Sequence, residues 1–247
     1  MDGIKITLIT VCYNAESTIS ACIQSVINQR YGNLQYIIID GASTDKTVEI
    51  IRQFEGHFHT LISEPDKGIY DAMNKGIAMA TGEVIGMLNA DDIFAADNIL
   101  STVNECFNSD LDILYGDLNV VNKQGKVIRK WRSAPYQKGI MNWGWMPPHP
   151  TFYCRRKLFE KLGNYRLDYG TAADYELMLR FMHGNMHKTE RTPLIMVIMN
   201  AGGASNNSYF SRIKALMNDM RAMRENGIRF PWLTVLLKPL RKIHQYL

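Results

Sequence analysis

Three short polar clusters each stand directly behind an apolar run: Tyr13-Asn14, Asp40-Gly41-Ala42-Ser43-Thr44-Asp45 and Asn89-Ala90-Asp91-Asp92. Asp91 and Asp92 are adjacent carboxylates, and two such charges repel unless a cation stands beside them. A hard divalent ion, Mn2+ or Mg2+, is held by one or two carboxylates while substrate phosphates fill its other positions. Otherwise one aspartate caps the next helix and the other is solvated. Asp40 follows Ile37-Ile38-Ile39 without a spacer. Its carboxylate can accept hydrogen bonds from a base imide or a ribose hydroxyl, or close an Asx turn. Gly41 lets the backbone turn sharply or approach a ligand. Tyr13 offers a flat face on which a base can stack, Asn14 both donates and accepts, and plain turn chemistry is the alternative for both. Asp45 fits the first turn of the following helix, where a carboxylate complements the dipole.

A second group lies further along. Residues 64–76 form a strand-to-helix loop dense in charge, in which Asp66 can reach a base and Lys67 or Lys75 a phosphate. The helix start near Tyr70 adds backbone N–H groups that favour anions. Asp174 sits in the first turn of a predicted helix, where the dipole keeps a carboxylate ionised, as a general base must be. Helix capping alone would explain it as well, and Glu176 is the rival base. His149, between Pro148 and Pro150, has the chemistry of a phosphate contact or a further metal ligand, set against a purely structural role.

The elements that must position these groups follow from periodicity. Residues 4–12, 36–39, 60–63 and 83–88 read as strands. Residues 16–29, 44–54 (capped by Ser43 or Thr44), 69–81 and 95–107 read as helices, the first with Ile19, Cys22, Ile23, Val26 and Ile27 on one face. Four strand–helix alternations predict a doubly wound, mostly parallel α/β sheet of Rossmann type. Ligands of such a sheet bind beyond the carboxyl ends of its strands, so the three clusters should share one rim. After residue 110 the rhythm changes: strands at 112–121, 126–131, 151–154 and 194–199, helices at 155–162 and 172–183, an amphipathic stretch at 207–225, and an aperiodic segment at 135–150. Residues 231–247 are apolar and basic together.

The 247 residues are 46% hydrophobic and 21% charged, with a net charge of +4, ordinary for a globular protein and weak support for nucleic-acid binding. The four cysteines form no CxxC pair and read as reduced, small apolar residues. No secretory h-region and no spanning stretch is visible, so a cytoplasmic protein is expected. GxGxxG after the first strand and GxxxxGK[ST] are both missing, which disfavours dinucleotide and P-loop chemistry. An enzyme acting on a nucleotide-activated substrate, an enzyme of another class such as a nucleotidyltransferase, and a non-catalytic binding or scaffold protein are the competing functions.

Taken jointly, Thr10-Val11-Cys12-Tyr13-Asn14, Ile39 through Asp45, Asn89-Ala90-Asp91-Asp92 and Ala173-Asp174-Tyr175-Glu176-Leu177 resemble the family 2 glycosyltransferases over about residues 4–205. The resemblance implies a GT-A fold and inversion at the anomeric carbon. It implies that Asp40 and Asp66 read the base of a nucleotide-sugar donor, with Tyr13 and Asn14 lining the pocket. Asp91 would hold the metal that bridges the donor diphosphate, and Asp174 would deprotonate the acceptor hydroxyl. Asn89 stands where the family usually has aspartate; it can bond a ribose hydroxyl but is a poor metal ligand, which leaves Asp91 and Asp92 both open as the main ligand. Lys67, Asp92 and His149 complete the expected substrate contacts. Gly202-Gly203-Ala204-Ser205 is similar to the family's Gly-Gly-containing loop near the acceptor and is expected to act as a mobile lid over the diphosphate. UDP is the expected nucleotide, with GDP the alternative. The expected organisation is a GT-A domain over residues 1–205, with a nucleotide half (1–107) and an acceptor half (108–205), followed by a helical extension (206–247). Residues 231–247 are either a helix packed on that domain or an interfacial helix that brings the enzyme to a lipid-linked glycan acceptor at the inner face of the membrane.

Overall fold

The structure, a computed structural model, describes residues 3–184, 187–202 and 209–246. Its first two strands, β1 (Ile6–Cys12) and β2 (Leu34–Asp40), have almost no exposed position. Ile6, Leu8, Tyr36 and Ile38 face one core, while Ile9, Val11, Ile37 and Ile39 face another. A strand apolar on both faces has to be covered on both, which is the signature of a central parallel strand. Burying each of these isoleucines contributes about 1.5–3 kcal/mol.

Between these strands runs α1 (Ile19–Ile27), which buries Ile19, Cys22, Ile23 and Val26 at helical spacing. Next come α2 (Thr47–Arg52), β3 (Thr60–Ser63), α3 (Ile69–Ala78), β4 (Val84–Met87), β5 (Asp92–Phe94) and α4 (Ile99–Phe107). The second half contributes β6 (Ile113–Val121), β7 (Val127–Trp131), β8 (Tyr153–Arg155), α5 (Arg156–Leu162), α6 (Ala173–Met182) and β9 (Thr189–Asn200). It closes with α7 (Tyr209–Glu225) and α8 (Pro231–Leu240). The described strands form one sheet in the order β3-β2-β1-β4-β8-β6-β9-β5, with β7 on β6. Strands β3, β2, β1 and β4 run parallel; β8 joins β4 and β6 antiparallel, and β9 runs parallel to β6.

The predicted α/β sheet is present, and the differences have local causes. The helix expected over 44–54 starts only at Thr47, because Ser43 bonds Asp40 instead of a helix end. The helix expected over 95–107 starts at Ile99, and its first amides are capped from a distance: Gln29 Oε1 accepts the N–H of Ile99 at 2.8 Å and of Leu100 at 3.2 Å. Before it lies the short strand β5, which pairs with β9 more than a hundred residues later. Strand β9 is longer than predicted because Pro193 sits at its register shift against β6, a bulge being where a strand tolerates proline. Helix α3 packs directly on β1: a Cβ on Gly76 would stand 2.5 Å from Ile9. That close approach sets the loop before α3 against the sheet's carboxyl rim.

Candidate active site

Four strand ends form the rim. Cys12 is in register with Asp40, and Asp40 with Ser63; the Ala90 amide reaches the Val11 carbonyl at 3.2 Å. Tyr13-Asn14, Asp40 to Asp45, Asp66 and Asn89 to Asp92 are therefore neighbours, as parallel strands require.

The loops behind β1 and β2 are stitched together. Asn14 and Ala42 both take positive φ, 48° and 59°, which is costly for residues with a Cβ. Cross-loop bonds hold them there. The Asn14 amide donates to Ser43 Oγ at 2.8 Å, and the Thr44 amide to Asn14 Oδ1 at 2.9 Å. The Ala15 amide donates to Thr47 Oγ1 at 2.7 Å, and the Glu16 amide to Asp45 Oδ2 at 3.1 Å. Asp45, expected inside the helix, ties this junction from just before it. The Tyr13 ring is left 64% exposed, open on the rim. A Cβ on Gly41 would stand 2.5 Å from Asp66 Oδ2 and 3.5 Å from the Tyr13 ring. Gly41 thus leaves room for the Asp66 carboxylate beside that ring.

Asp40, expected to read a base, is fully buried. Its oxygens accept from the Ser43 amide at 2.9 Å, Ser43 Oγ at 2.5 Å, Ser63 Oγ at 2.7 Å and Cys12 Sγ at 3.5 Å. It shapes the rim from below, since its acceptor capacity is taken by its own chain. Asp66 is partly exposed; Oδ1 accepts the Gly68 amide at 2.7 Å. The Lys67 ammonium is exposed with no ion pair among the described residues, whereas Lys75 pairs with Glu64 at 2.8 Å and the Pro65 carbonyl at 2.8 Å.

Asn89 to Asp92 make a tight turn, the Asp92 amide donating to the Asn89 carbonyl at 3.0 Å. Asp92, expected among the substrate contacts, is 1% exposed as the first residue of β5. Burial, and next the charge of Asp91, push its carboxyl well above the ordinary carboxylate range. Asp91 remains partly exposed, with burial raising it as well. The Asn89 side-chain nitrogen Nδ2 lies 3.4 Å from Asp92 Oδ2, while Asn89 Oδ1 and Asp92 Oδ1 are both buried without a partner. Two orphaned oxygens and an open carboxylate in one turn fit a hard cation, since buried polar atoms normally have partners. Among the described residues no group of three His, Cys, Asp or Glu gathers to form a complete metal cage, so substrate oxygens would have to complete the shell.

Asp174 stands partly exposed in the first turn of α6, Oδ1 on the Tyr175 amide at 2.7 Å. Around it are residues that local periodicity did not single out. Tyr70, at the start of α3, reaches the Thr171 carbonyl at 3.4 Å and stacks on Tyr165 at 5.3 Å. Burial and then the Asp174 charge hold the Tyr70 hydroxyl well above its ordinary pKa. His149 is buried, its Nε2 2.7 Å from Tyr165 Oη, and burial lowers its pKa and favours the neutral ring. It therefore backs Tyr165 instead of meeting a phosphate or metal. Asn74 pins Tyr165 through both backbone groups, at 2.9 and 3.0 Å; the two residues are far apart in the chain, which is why no short-range signal marked Tyr165. Glu176, the rival base, is fully buried and paired with Arg180 at 2.8 Å. Of the expected glycine lid only Gly202 is described; 203–205 lie outside the described residues.

The sequence profile described as Glycosyl transferase family 2 matches residues 7–167. This chain belongs to glycosyl transferase family 2. An uncharacterized glycosyltransferase of Mycobacterium tuberculosis (strain CDC 1551 / Oshkosh) is 32% identical over 186 residues, covering 71% of this chain and 68% of its own. UDP-Glc:alpha-D-GlcNAc-diphosphoundecaprenol beta-1,3-glucosyltransferase WfgD of Escherichia coli is 30% identical over 148 residues, 58% of each chain. Among solved structures, S. aureus TarS 1–349 superposes with a TM-score of 0.70 at 16% identity, covering 90% of this chain; the present chain spans 65% of that one. A Pyrobaculum calidifontis mannosyltransferase in complex with GDP-Man and Mn2+ has a TM-score of 0.67 at 16% identity, with 96% and 72% covered. The fold of this glycosyltransferase is accordingly GT-A, and the protein is a transferase enzyme. Among its described residues no helix is long and apolar enough to cross a membrane.

Proposed function

We propose that this enzyme transfers a sugar, with inversion, from a UDP-linked donor to a hydroxyl of a glycan or lipid-linked glycan. The observation that carries this is the pairing of an open Asp91, flanked by the orphaned Asn89 and Asp92 oxygens, with Asp174 beside the Tyr70 hydroxyl. The base of the donor stacks on Tyr13 and bonds Asp66, with Asn14 at the edge of the pocket; Asp40 holds that pocket in shape through Ser43 and Ser63. Lys67 meets the phosphates, and Asn89 faces the ribose side. Asp91 is the first ligand for Mn2+ or Mg2+, which when bound supplies positive charge for the departing diphosphate.

Asp174 accepts the proton of the acceptor hydroxyl. The freed oxygen bonds the anomeric carbon from the face opposite the diphosphate as the carbon–oxygen bond to that diphosphate breaks, and the electron pair leaves with UDP. Tyr70, Tyr165 and His149 brace the surroundings of Asp174 through their mutual contacts. The UDP assignment is supported by WfgD, whose name specifies UDP-Glc. Residues 231–247 approach the inner face of the membrane, where a lipid-linked acceptor would lie.

Thermal-shift titration tests the donor half. A ligand that binds only the folded state raises its melting temperature. UDP with Mn2+ should raise it in the native enzyme and do so far less in Asp91→Asn. An undiminished shift in that variant contradicts the metal assignment.

A further inference from the structure

The C-terminal helix creates a cleft that the rim chemistry leaves unused. Helix α8 approaches the turn at Gly144 so closely that a Cβ there would stand 2.7 Å from the Lys238 backbone nitrogen and 3.0 Å from the Thr234 carbonyl. Thr234 Oγ1 donates to the Asn142 carbonyl at 2.6 Å. The junction encloses a cavity of about 80 Å³ lined by Trp131, Arg132, Trp145, Lys238, Arg241 and Lys242, among others.

Two of these cations are already partnered. Lys238 pairs with Asp219 at 2.6 Å and lies 3.5 Å above the Tyr175 ring. Arg132 donates to the Leu118 carbonyl at 3.0 Å and to Asn119 Oδ1 at 2.7 Å. Lys242 is only partly exposed, yet among the described residues its ammonium has no ion pair and no hydrogen-bond acceptor. Burial, then Lys238 and Arg129, lower its pKa, and Asp174 lies within its electrostatic reach. Arg241, exposed and likewise without an ion pair, also lines a neighbouring cavity of about 500 Å³ with Trp143, Phe230 and Leu233. Cations gathered in a partly desolvated cleft repel one another, and an anion that accepts their hydrogen bonds relieves that cost.

We propose that this cleft is an anion subsite on the acceptor side, which takes a phosphate or diphosphate group carried by the acceptor. The proposal rests on the transferase reading above and names its acceptor class. Lys238 of the cleft lies over the ring of Tyr175, the residue after Asp174, and Asp174 acts electrostatically on Lys242, so a bound anion holds the acceptor on the base's side of the molecule. The surroundings fit a lipid as the anion's other substituent. Trp232, Leu236, Leu240 and Ile243 are each about 60% exposed, at 61%, 61%, 59% and 58%. Trp232, Leu236 and Leu240, spaced four residues apart, form one stripe along α8, and Ile243 follows just beyond its end.

The test titrates the full chain with inorganic pyrophosphate in EDTA, so that no metal at Asp91 contributes. Binding should be measurable and about tenfold weaker in Lys242→Gln, the worth of one charge-assisted bond. It should weaken similarly in the exposed variant Arg241→Ala and return in Lys242→Arg. No binding, or equal affinity in all variants, overturns the subsite. Phosphatidylcholine vesicles with and without a polyprenyl diphosphate separate the sources. Retention of the native chain only on the diphosphate vesicles, lost in Lys242→Gln, supports the lipid-linked acceptor. Pyrophosphate binding without such retention supports a soluble phosphorylated glycan. Equal retention on plain vesicles by both proteins overturns recognition of the anion on a membrane. In turnover, Lys242→Gln should raise KM for a phosphorylated acceptor and leave KM for the donor unchanged; the reverse pattern overturns the acceptor assignment. Failure of the Asp91 or Asp174 roles would leave metal-free pyrophosphate binding untouched, so the two outcomes can be told apart.

Discussion

Asp91 and Asp92 are consecutive in the chain but stand in different media. Asp92 lies inside the wall with one oxygen unpartnered, and its raised pKa has a definite consequence for stability. A carboxyl whose folded pKa is raised binds its proton more tightly folded than unfolded. Its contribution is therefore fully present below the unfolded value, near 4, and is lost as pH rises through the folded value. In EDTA, Asp92→Asn should melt above the native enzyme at pH 8, with the difference shrinking toward pH 4; a constant difference would contradict the burial argument. Glu176 makes the opposite case. It is fully buried against Arg180, so Glu176→Ala should cost about 3 kcal/mol in urea unfolding by leaving the cation without its carboxylate. Residue types at the rim were legible in the sequence because each follows a strand. The orientation of Asp40, Asp92 and His149 was not, because it depends on Ser63, Asn89 and Tyr165, whose partners are fixed only by the fold.

At the scale of elements, the site depends on how α6, α7 and α8 dock. Arg221 on α7 binds Asp168 at 2.7 Å and Glu225 at 2.8 Å, while Arg166 binds Glu225 at 2.9 Å. These join α7 to the turn that leads into α6 and Asp174. The neighbouring Tyr169 hydroxyl, then the Arg221 guanidinium, lower Glu225 from 4.5 to about 2. A depressed carboxylate stabilises above its unfolded pKa and loses that contribution as pH falls through the folded value. Docking of α7 should thus weaken between pH 4.5 and 2, and hydrogen exchange should show its amides opening before those of β1 and β2. Because these groups are exposed, added salt should reduce the effect. Gly144 tests the next contact. With φ at 77° and Lys238 backbone against it, Gly144→Ala should loosen α8 and make residues 231–246 sensitive to protease while the sheet stays intact. Element boundaries failed where the deciding partner was remote: β5 is held by β9, and the start of α4 by Gln29.

The whole molecule joins a parallel half that builds the strand-end rim to a mixed half that carries Asp174, the proposed base, and the C-terminal helices. The first half was readable because strands covered on both faces leave continuous apolar runs, as in Ile37-Ile38-Ile39. The second half was less so, because β8 and β9 enter the sheet out of chain order and Pro193 interrupts the pattern. Catalysis on this plan requires that Asp91 and Asp174 do separable work on one substrate pair. Transfer by Asp174→Asn, measured beside its affinity for UDP with Mn2+, tests that requirement most directly. Donor affinity should be unchanged while kcat falls about a hundred- to ten-thousandfold, the range for loss of a general base. Turnover at the native rate, or loss of donor binding together with transfer, would contradict the assignment of Asp174.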